Sequence, residues 1–211
     1  MKQYQYYLFD WDGNLAQTLE VWLTAIRASL DKRNIQVSDE EIGLSFGNFE
    51  NTFKSWSQDD PEKAFNDAYQ VAAQLLQDVN LYPEAKNTLK SLHQQERKIA
   101  LVTTSAKHDV ERLLERHRIT DYFDALVTGH DVANHKPHPE PLEKALELLG
   151  GQKSEAVMVG DSDKDLGAAL NFEIDSILFY PESHSKFYNL DKLKKLKPTY
   201  IIDDFAEILV K

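Results

Sequence analysis

Two aspartates separated by one residue are the side chains of this chain best suited to chemistry. Asp10 and Asp12 follow a short aromatic and apolar run, residues 6–9, which predicts a buried strand near the N-terminus. Because residues i and i+2 of an extended chain point to the same face, the two carboxylates project together. Neighbouring acids repel each other unless a cation or a donor lies between them. Gly13 allows a turn directly behind the pair.

Three later stretches carry polar groups in comparable positions. Thr103 ends an apolar run, and Lys136 stands directly before Pro137. Asp161 and Asp165 lie in the sequence Gly-Asp-Ser-Asp-Lys-Asp, which follows another apolar run. Taken alone, each stretch has a simpler explanation: an exposed loop lysine, a hydroxyl that bonds its own backbone, or an acidic loop that ends a strand. Their chemistry therefore depends on whether the fold brings these stretches together.

The segment that follows the first motif, residues 18–80, predicts helices and no strand. Apolar residues recur at helical spacing over residues 19–30. Ser38 followed three residues later by Glu41 is typical of a capping box, and Asp60 before a proline is typical of a helix start. The sequence therefore predicts a helical block inserted into the chain after the first strand.

From Pro83 onward the pattern alternates between strand and helix. Helices are expected at residues 84–94, 109–118, 140–149 and 205–210, with a short helix after the Gly-Asp-Ser motif. We predict strands at residues 98–103, 125–128, 156–159, 174–179 and 199–202. Such alternation predicts a parallel sheet with helices on both faces. Ligands of such folds bind at the carboxyl ends of the strands, where Asp10, Asp12, Thr103 and Asp161 all fall.

Composition excludes several classes of partner and chemistry. The 211 residues carry a formal net charge of −11, which argues against nucleic acid or an anionic membrane as a partner. No cysteine is present, so disulfides and thiolate metal sites are excluded. No apolar run approaches the length of a membrane span, and the first residues are not typical of a signal peptide. We expect a soluble, cytoplasmic protein that is a monomer or a weak homodimer.

The four motifs, taken in order, resemble those of the haloacid dehalogenase superfamily of phosphotransferases. They are Asp10-Trp11-Asp12-Gly13, Thr103, Lys136 and Gly160-Asp161-Ser162-x-x-Asp165. The closest resemblance is to the subgroup with an α-helical cap inserted after the first motif, which includes phosphoglycolate phosphatases and β-phosphoglucomutases. The resemblance implies an α/β fold, a Rossmann-like parallel sheet core with an inserted small all-α cap domain. We expect the core at residues 1–15 and 83–211 and the cap at residues 16–82.

The resemblance also implies catalytic roles. Asp10 would attack phosphorus and form an aspartyl-phosphate, and Asp12 would protonate the departing alcohol and then take a proton from water. Thr103 would hydrogen-bond a phosphoryl oxygen, and Lys136 would neutralise the charge shared with Asp10.

A magnesium ion and substrate contacts are implied in the same way. Mg²⁺ would bind the carboxylates of Asp10 and Asp161 and the backbone carbonyl of Asp12. Asp165 would be a further ligand or an outer-shell acid. The residues expected to contact substrate lie in the first and second motifs and in a break between cap helices: Gly13, Asn14, Thr104, Phe46, Gly47 and Asn48.

Departures from the family pattern favour one function over its alternatives. Asn14 stands where the family usually has threonine, and Gln17 where it often has aspartate, which we expect to change detail without abolishing activity. The cap histidine and arginine of β-phosphoglucomutases have no counterpart near Trp22 or in residues 46–50, which counts against a mutase. We therefore predict a Mg²⁺-dependent phosphatase for small phosphorylated metabolites such as phosphoglycolate or a sugar phosphate. A phosphomutase and a non-catalytic binding or regulatory module remain the alternatives.

Overall fold

The computed structural model describes residues 1–46, 49–57 and 59–210 of the chain. These residues form two compact units. The first unit comprises Met1–Ala16, Leu81–Glu182 and Leu190–Lys211, and the second comprises Gln17–Asn80 and Ser183–Asn189. Both units are therefore assembled from segments that are distant in sequence.

A parallel sheet forms the centre of the first unit. Within the described residues its strands are β1 (Tyr6–Phe9), β2 (Lys98–Val102), β3 (Ala125–Val127), β4 (Ala156–Gly160), β5 (Asp175–Phe179) and β6 (Tyr200–Ile202). They are arranged in the order β3-β2-β1-β4-β5-β6, and each neighbouring pair is parallel. Leu8 of β1 is opposite Ala100 on one side and Met158 on the other. The first strand, and the acids that follow it, thus lie in the middle of the sheet.

The first unit also contains helices, several of which pack on the sheet. They are α5 (Ala85–Gln94), α6 (Lys107–His117), α7 (Glu140–Leu148), α8 (Asp163–Phe172) and α9 (Leu190–Lys194). Leu8 and Met158 are completely buried in one apolar cluster with Leu142 of α7 and Ala168 of α8. Strands that are covered in this way need apolar residues almost continuously, which explains the composition of β1, β2 and β4.

Polar residues follow the last positions of three adjacent strands. Asp10 follows β1, Thr103 follows β2 and Asp161 follows β4. Because the strands are parallel and in register, these three positions meet at one edge of the sheet. The topology alone therefore brings together motifs that are up to 151 positions apart in the sequence.

The second unit is helical. Its helices are α1 (Leu19–Asp31), α2 (Asp39–Leu44), α3 (Phe49–Trp56) and α4 (Pro61–Leu75). Leu23, Ile26 and Phe53 pack in its apolar cluster together with Phe187, which belongs to the segment Ser183–Asn189. Gly43 lies so close to this segment that a Cβ there would be 2.2 Å from the carbonyl oxygen of Lys186.

Most of the predicted elements are confirmed, and the differences are local. Ser38 and Glu41 form the predicted capping box, and Asp60 accepts a hydrogen bond from Lys63 N at the start of α4. The predicted helix at residues 205–210 is instead a 3₁₀ helix, Phe205–Leu209. Residues 192–197 form a lysine-rich run. Its first three residues lie in α9, a helix that the sequence analysis did not predict. None of the described helices is both long enough and apolar enough to span a membrane.

Candidate active site

Asp10 lies at the end of the central strand, and only 7% of it is exposed. Its backbone N–H donates to Val159 O of β4 at 2.9 Å, which continues the ladder of the sheet and fixes the direction of the side chain. Burial raises the pKa of the Asp10 carboxyl to about 7; Lys136 opposes this rise, whereas Asp165 and Asp12 add to it. The carboxylate is therefore held in a position where the protein alone barely stabilises its charge.

Lys136 connects the ends of two strands and one helix. Its Nζ donates to Asp10 Oδ1 at 2.5 Å, to Asp165 Oδ1 at 2.7 Å and to Val102 O at 3.0 Å, and the residue is 7% exposed. Burial opposes the charged form of Lys136, but the two carboxylates outweigh it and raise the pKa of the ammonium above its usual value. The lysine is thus a fixed positive charge against Asp10, in contrast to an exposed loop lysine.

The Gly-Asp-Ser motif turns from strand β4 into helix α8. The Ser162 side chain caps α8 by accepting from Asp165 N, while Asp165 Oδ2 accepts from Ser162 N at 3.1 Å and from Ser162 Oγ at 2.5 Å. This reciprocal capping box satisfies donors at the helix start and fixes the Asp165 carboxylate. Asp161 lies between the end of β4 and the capping residue Ser162, and it is 1% exposed.

Asp10, Asp161 and Asp165 form a group that fits a divalent cation. One carboxylate oxygen from each lies within 4.8 Å of the others, and all three residues are buried. When all three carboxyls are ionised, the single ammonium of Lys136 leaves two negative charges unbalanced, and unbalanced buried charge is costly. Because all the donors are hard oxygen ligands, Mg²⁺ suits the group and balances its charge. In the part of the chain that is described, no other cluster of His, Cys, Asp or Glu side chains meets the same distance criterion.

The side chain of Asp12 does not belong to this carboxylate group. Its Oδ2 accepts a hydrogen bond from Ser105 Oγ at 2.5 Å, and the residue is half-buried. The contact predicted for Asp12 with a metal is through its backbone carbonyl, and it stays a prediction. The two acids of the first motif thus have different surroundings, Asp10 against a buried lysine and Asp12 against a hydroxyl.

Gly13 and Asn14 shape the turn behind the two acids. Gly13 has φ 75°, in the left-handed region that favours glycine, and its N–H donates to Ala16 O at 3.0 Å. Asn14 is completely buried, and its Nδ2 donates to Val159 O at 2.5 Å, so its amide ties the turn to β4. Substrate contacts of Gly13 and Asn14 stay predictions.

The second motif forms a compact loop between β2 and α6. Thr103 is buried, and its Oγ1 accepts from Ser105 N at 3.0 Å. This bond uses the oxygen as an acceptor, so the single hydroxyl proton of Thr103 can be donated to a phosphoryl oxygen. Thr104 is exposed, which leaves it accessible to substrate. The roles predicted for Thr103 and Thr104 in binding stay predictions.

The residues predicted in the cap are only partly described. The Phe46 ring is half-buried in the apolar cluster of the helical unit, with its centroid 5.0 Å from that of Phe187. Gly47 and Asn48 lie outside the described residues. Substrate contacts of these three residues stay predictions.

The sequence analysis assigned no role to two polar residues of the site, Ser162 and Ser105. Ser162 occupies the first position of a Ser-x-x-Asp pattern before a helix, which is a recognisable capping signal. Ser105 contacts Asp12 across 93 positions of sequence, and no local pattern indicates such a contact.

The fold and the site define a protein with a buried carboxylate, Asp10, at the carboxyl edge of a parallel sheet. Residues 7–179 match the model of the haloacid dehalogenase-like hydrolase family, and the chain belongs to this family. It is an enzyme, a phosphatase of phosphorylated substrates.

Several named proteins are similar to this chain along nearly its whole length. Pyrophosphatase PpaX of Bacillus cereus (strain B4264) is 31% identical over 206 residues, covering 96% of this chain and 93% of the relative. PpaX of Bacillus mycoides (strain KBAB4) is 31% identical over 205 residues, with 96% and 94% covered. Among solved structures, a predicted phosphoglycolate phosphatase from Haemophilus somnus 129PT has a TM-score of 0.82 and 26% identity, with 99% of this chain and 98% of that chain covered.

Proposed function

We propose that the protein is a Mg²⁺-dependent phosphatase of small phosphorylated compounds that acts through an aspartyl-phosphate on Asp10. The observation that carries this proposal is the environment of Asp10: a buried carboxylate at a strand end, 2.5 Å from Lys136 Nζ and two positions before Asp12. A buried carboxylate paired with a fixed cation is a suitable nucleophile, because its charge is weakly solvated and its direction is fixed.

The first half of the proposed reaction transfers the phosphoryl group to the enzyme. A carboxylate oxygen of Asp10 attacks phosphorus, and the bond from phosphorus to the leaving oxygen breaks. The carboxyl group of Asp12 gives its proton to that oxygen, so the leaving group departs neutral. Lys136 and the hydroxyl of Thr103 stabilise the charge on the phosphoryl oxygens.

The second half regenerates the carboxylate. Asp12, now ionised, takes a proton from a water molecule as the water oxygen attacks phosphorus. The bond from phosphorus to Asp10 breaks, and inorganic phosphate and the free carboxylate result. Asp12 ends protonated and Asp10 ionised, as at the start. The carboxylates of Asp10 and Asp161 and the backbone carbonyl of Asp12 would hold a Mg²⁺ ion, which would neutralise charge on the phosphoryl oxygens.

Two substrate classes are supported by different observations. The family resemblance and the Haemophilus somnus protein, which is named a predicted phosphoglycolate phosphatase, favour phosphoglycolate or a sugar phosphate. The Bacillus relatives, which are named pyrophosphatases, favour inorganic pyrophosphate as a second candidate. The two differ in the leaving group, which is an alcohol for the first class and phosphate for the second.

Product analysis with a substrate panel tests the proposal. Purified protein with Mg²⁺ is incubated with phosphoglycolate, several sugar phosphates and pyrophosphate, and free phosphate and isomeric sugar phosphates are quantified. The proposal expects phosphate release that EDTA abolishes and that excess Mg²⁺ restores. Isomerisation of a sugar phosphate without phosphate release would establish the mutase alternative. Absence of turnover on the whole panel would contradict the proposed substrate classes.

A further inference from the structure

We infer that Ser105 is a positioning residue for Asp12: its hydroxyl holds the Asp12 carboxyl in the direction needed to protonate the leaving group. This inference rests on the proposed function, because it assigns Ser105 a part in the first half of that reaction. The contact that carries it is the hydrogen bond from Ser105 Oγ to Asp12 Oδ2, at 2.5 Å. Because the hydroxyl donates to Oδ2, the proton that Asp12 transfers is carried by its other carboxyl oxygen, Oδ1.

The tertiary fold determines this contact. Ser105 lies in the loop of four residues between β2, which ends at Val102, and α6, which begins at Lys107. Asp12 follows the neighbouring strand β1, and the two strands pair in parallel register. Ser105 is therefore well placed to restrain a carboxyl group on the adjacent strand end.

Ser105 contributes two separate bonds to the site. Its backbone N–H donates to Thr103 Oγ1 at 3.0 Å, and its side-chain hydroxyl donates to Asp12 Oδ2. A substitution by a residue without a hydroxyl, such as valine, removes the second bond and keeps the first, because the N–H is present in every residue except proline. The contribution of the hydroxyl to Asp12 can thus be measured without loosening the loop at Thr103.

The restraint matters because Asp12 is half-buried, in contrast to Asp10. A carboxyl group at a partly exposed position can rotate about its side-chain bonds unless a partner holds it. Proton transfer to a leaving oxygen requires the acid within hydrogen-bond reach, so a misdirected carboxyl group lowers the rate. Fixing Asp12 therefore raises the rate most for substrates whose leaving group needs a proton.

A direct role of Ser105 in binding substrate makes a different prediction. A hydroxyl that bonds a phosphoryl oxygen would contribute equally to all phosphate esters, because the transferred group is the same in each. A hydroxyl that acts through Asp12 contributes to alkyl phosphates, whose alcohol leaves poorly as an anion. It contributes little to 4-nitrophenyl phosphate, whose phenolate leaves without a proton.

The experiment compares Ser105→Val with Ser105→Thr, two side chains of nearly equal shape that differ in the hydroxyl. The readout is kcat/KM with Mg²⁺ for the best alkyl phosphate of the panel and for 4-nitrophenyl phosphate, because kcat/KM reports on the step that expels the leaving group. We expect Ser105→Val to lose about 10- to 100-fold on the alkyl phosphate and less than about threefold on the aryl phosphate. Ser105→Thr restores the alkyl activity to within about fivefold of wild type, because it keeps the donor.

Equal losses on both substrates, or no loss in Ser105→Val, would overturn the inference. So would a Ser105→Thr variant as impaired on the alkyl phosphate as Ser105→Val, since the hydroxyl would then not be the cause. Ser91→Ala removes a half-buried serine hydroxyl on helix α5, away from this loop, and should match wild type on both substrates. Failure of the proposed function is recognised separately, because Asp10→Asn would then retain its activity whatever the result at Ser105.

Discussion

Gly160 and Asp165 lie so close together that no side chain fits between them. A Cβ built on Gly160, the last residue of β4, would be 2.3 Å from Asp165 Cβ and 2.4 Å from its Cγ. Asp165 in turn is held by Lys136 and by Ser162. The absence of a side chain at Gly160 therefore allows Asp165 to lie against the strand end, where it joins the buried carboxylate group.

Replacing Gly160 tests how strictly the site depends on the close contact of this residue with Asp165. We expect Gly160→Ala to destabilise the protein by about 1–3 kcal/mol, since the new methyl group overpacks a buried site. The displaced Asp165 should also lower kcat by about tenfold or more, because small misplacements at a reacting centre are costly. Gly150→Ala is the matched control: it meets no atom within 4 Å but has φ +63°. It should cost about 1 kcal/mol of stability and leave kcat unchanged, and a loss of kcat equal to that of Gly160→Ala would contradict this account.

Lys136 is expected to be essential for activity and for the stability of the metal-free protein. Lys136→Met removes the ammonium from a buried group of carboxylates, which we expect to lower the free energy of unfolding by about 3 kcal/mol. Activity should fall at least about 100-fold, because a fixed charge at the reacting centre is lost. Urea unfolding and phosphate release measure the two effects.

A lysine of an ion pair at the surface provides the control for Lys136→Met. Lys98 donates to Asp124 at 2.7 Å, but half of its side chain is exposed. Lys98→Met should therefore change the free energy of unfolding by less than about 1 kcal/mol and leave activity intact. Mg²⁺ should stabilise Lys136→Met more than wild type, because the cation compensates the charge that the lysine no longer balances. Equal effects of the two lysine substitutions would show that Lys136 is not a buried countercharge.

The proposed binding of Mg²⁺ to the carboxylate group predicts that substitutions of two aspartates of one motif differ in their effect on the stabilisation by Mg²⁺. Asp161 is 1% exposed, whereas Asp163, two positions later, is exposed. Mg²⁺ at about 100 times its Kd should stabilise wild type by about 2.7 kcal/mol. Asp161→Asn should lose most of this increment and Asp163→Asn should keep it, as measured by thermal unfolding with and without Mg²⁺. An increment that survives in Asp161→Asn would exclude Asp161 as a ligand.

A network away from the site predicts how stability depends on pH. Asp175, at the start of β5, accepts from Lys2 Nζ at 2.9 Å and from Tyr4 OH at 2.8 Å. Partial burial raises the pKa of the Asp175 carboxyl, but the hydrogen bonds from Lys2 and Tyr4 and the charge of Lys2 outweigh it and hold the pKa below its usual value. Because the folded pKa is depressed, the stabilisation is present above the unfolded pKa and is lost as pH falls through the folded pKa.

Comparison of wild type with Asp175→Asn isolates this contribution. The variant should be less stable by about 1 kcal/mol near neutral pH, a modest value because a third of the side chain is exposed. The difference should stay constant down to about pH 5 and narrow below about pH 4. Urea unfolding of both proteins from pH 7 to pH 3 measures it, and a difference that widened toward low pH would show that the sign is wrong.

The fold was predictable where the pattern was local. Apolar runs of four to six residues identified the strands, and the Ser38 capping box and Asp60 identified helix starts. Both signals depend only on residues that are close together in the sequence. Helix α9 and the packing of Phe187 in the helical unit were not predicted. The partners of residues 183–189 lie far away in sequence, and a lysine-rich run carries little periodic signal.

The candidate site, too, was predictable in part, where its residues could be recognised from the local sequence. Strand-end acids and a lysine before a proline were recognisable from type and position, and the structure brings Asp10, Lys136, Asp161 and Asp165 together. The contact of Ser105 with Asp12 and the approach of Gly160 to Asp165 depend on ångström-scale packing. Residue spacing does not encode such distances, so these relationships required the structure.

The most direct test of the account is phosphate release by Asp10→Asn from 4-nitrophenyl phosphate and from the best substrate of the panel, with Mg²⁺ present. Asparagine keeps the shape of the side chain but is a poor nucleophile, so we expect turnover to fall below detection. Asp203→Asn, which changes an exposed aspartate after β6, should match wild type. Turnover by Asp10→Asn at the wild-type rate would contradict an aspartyl-phosphate on Asp10 and with it the proposed mechanism.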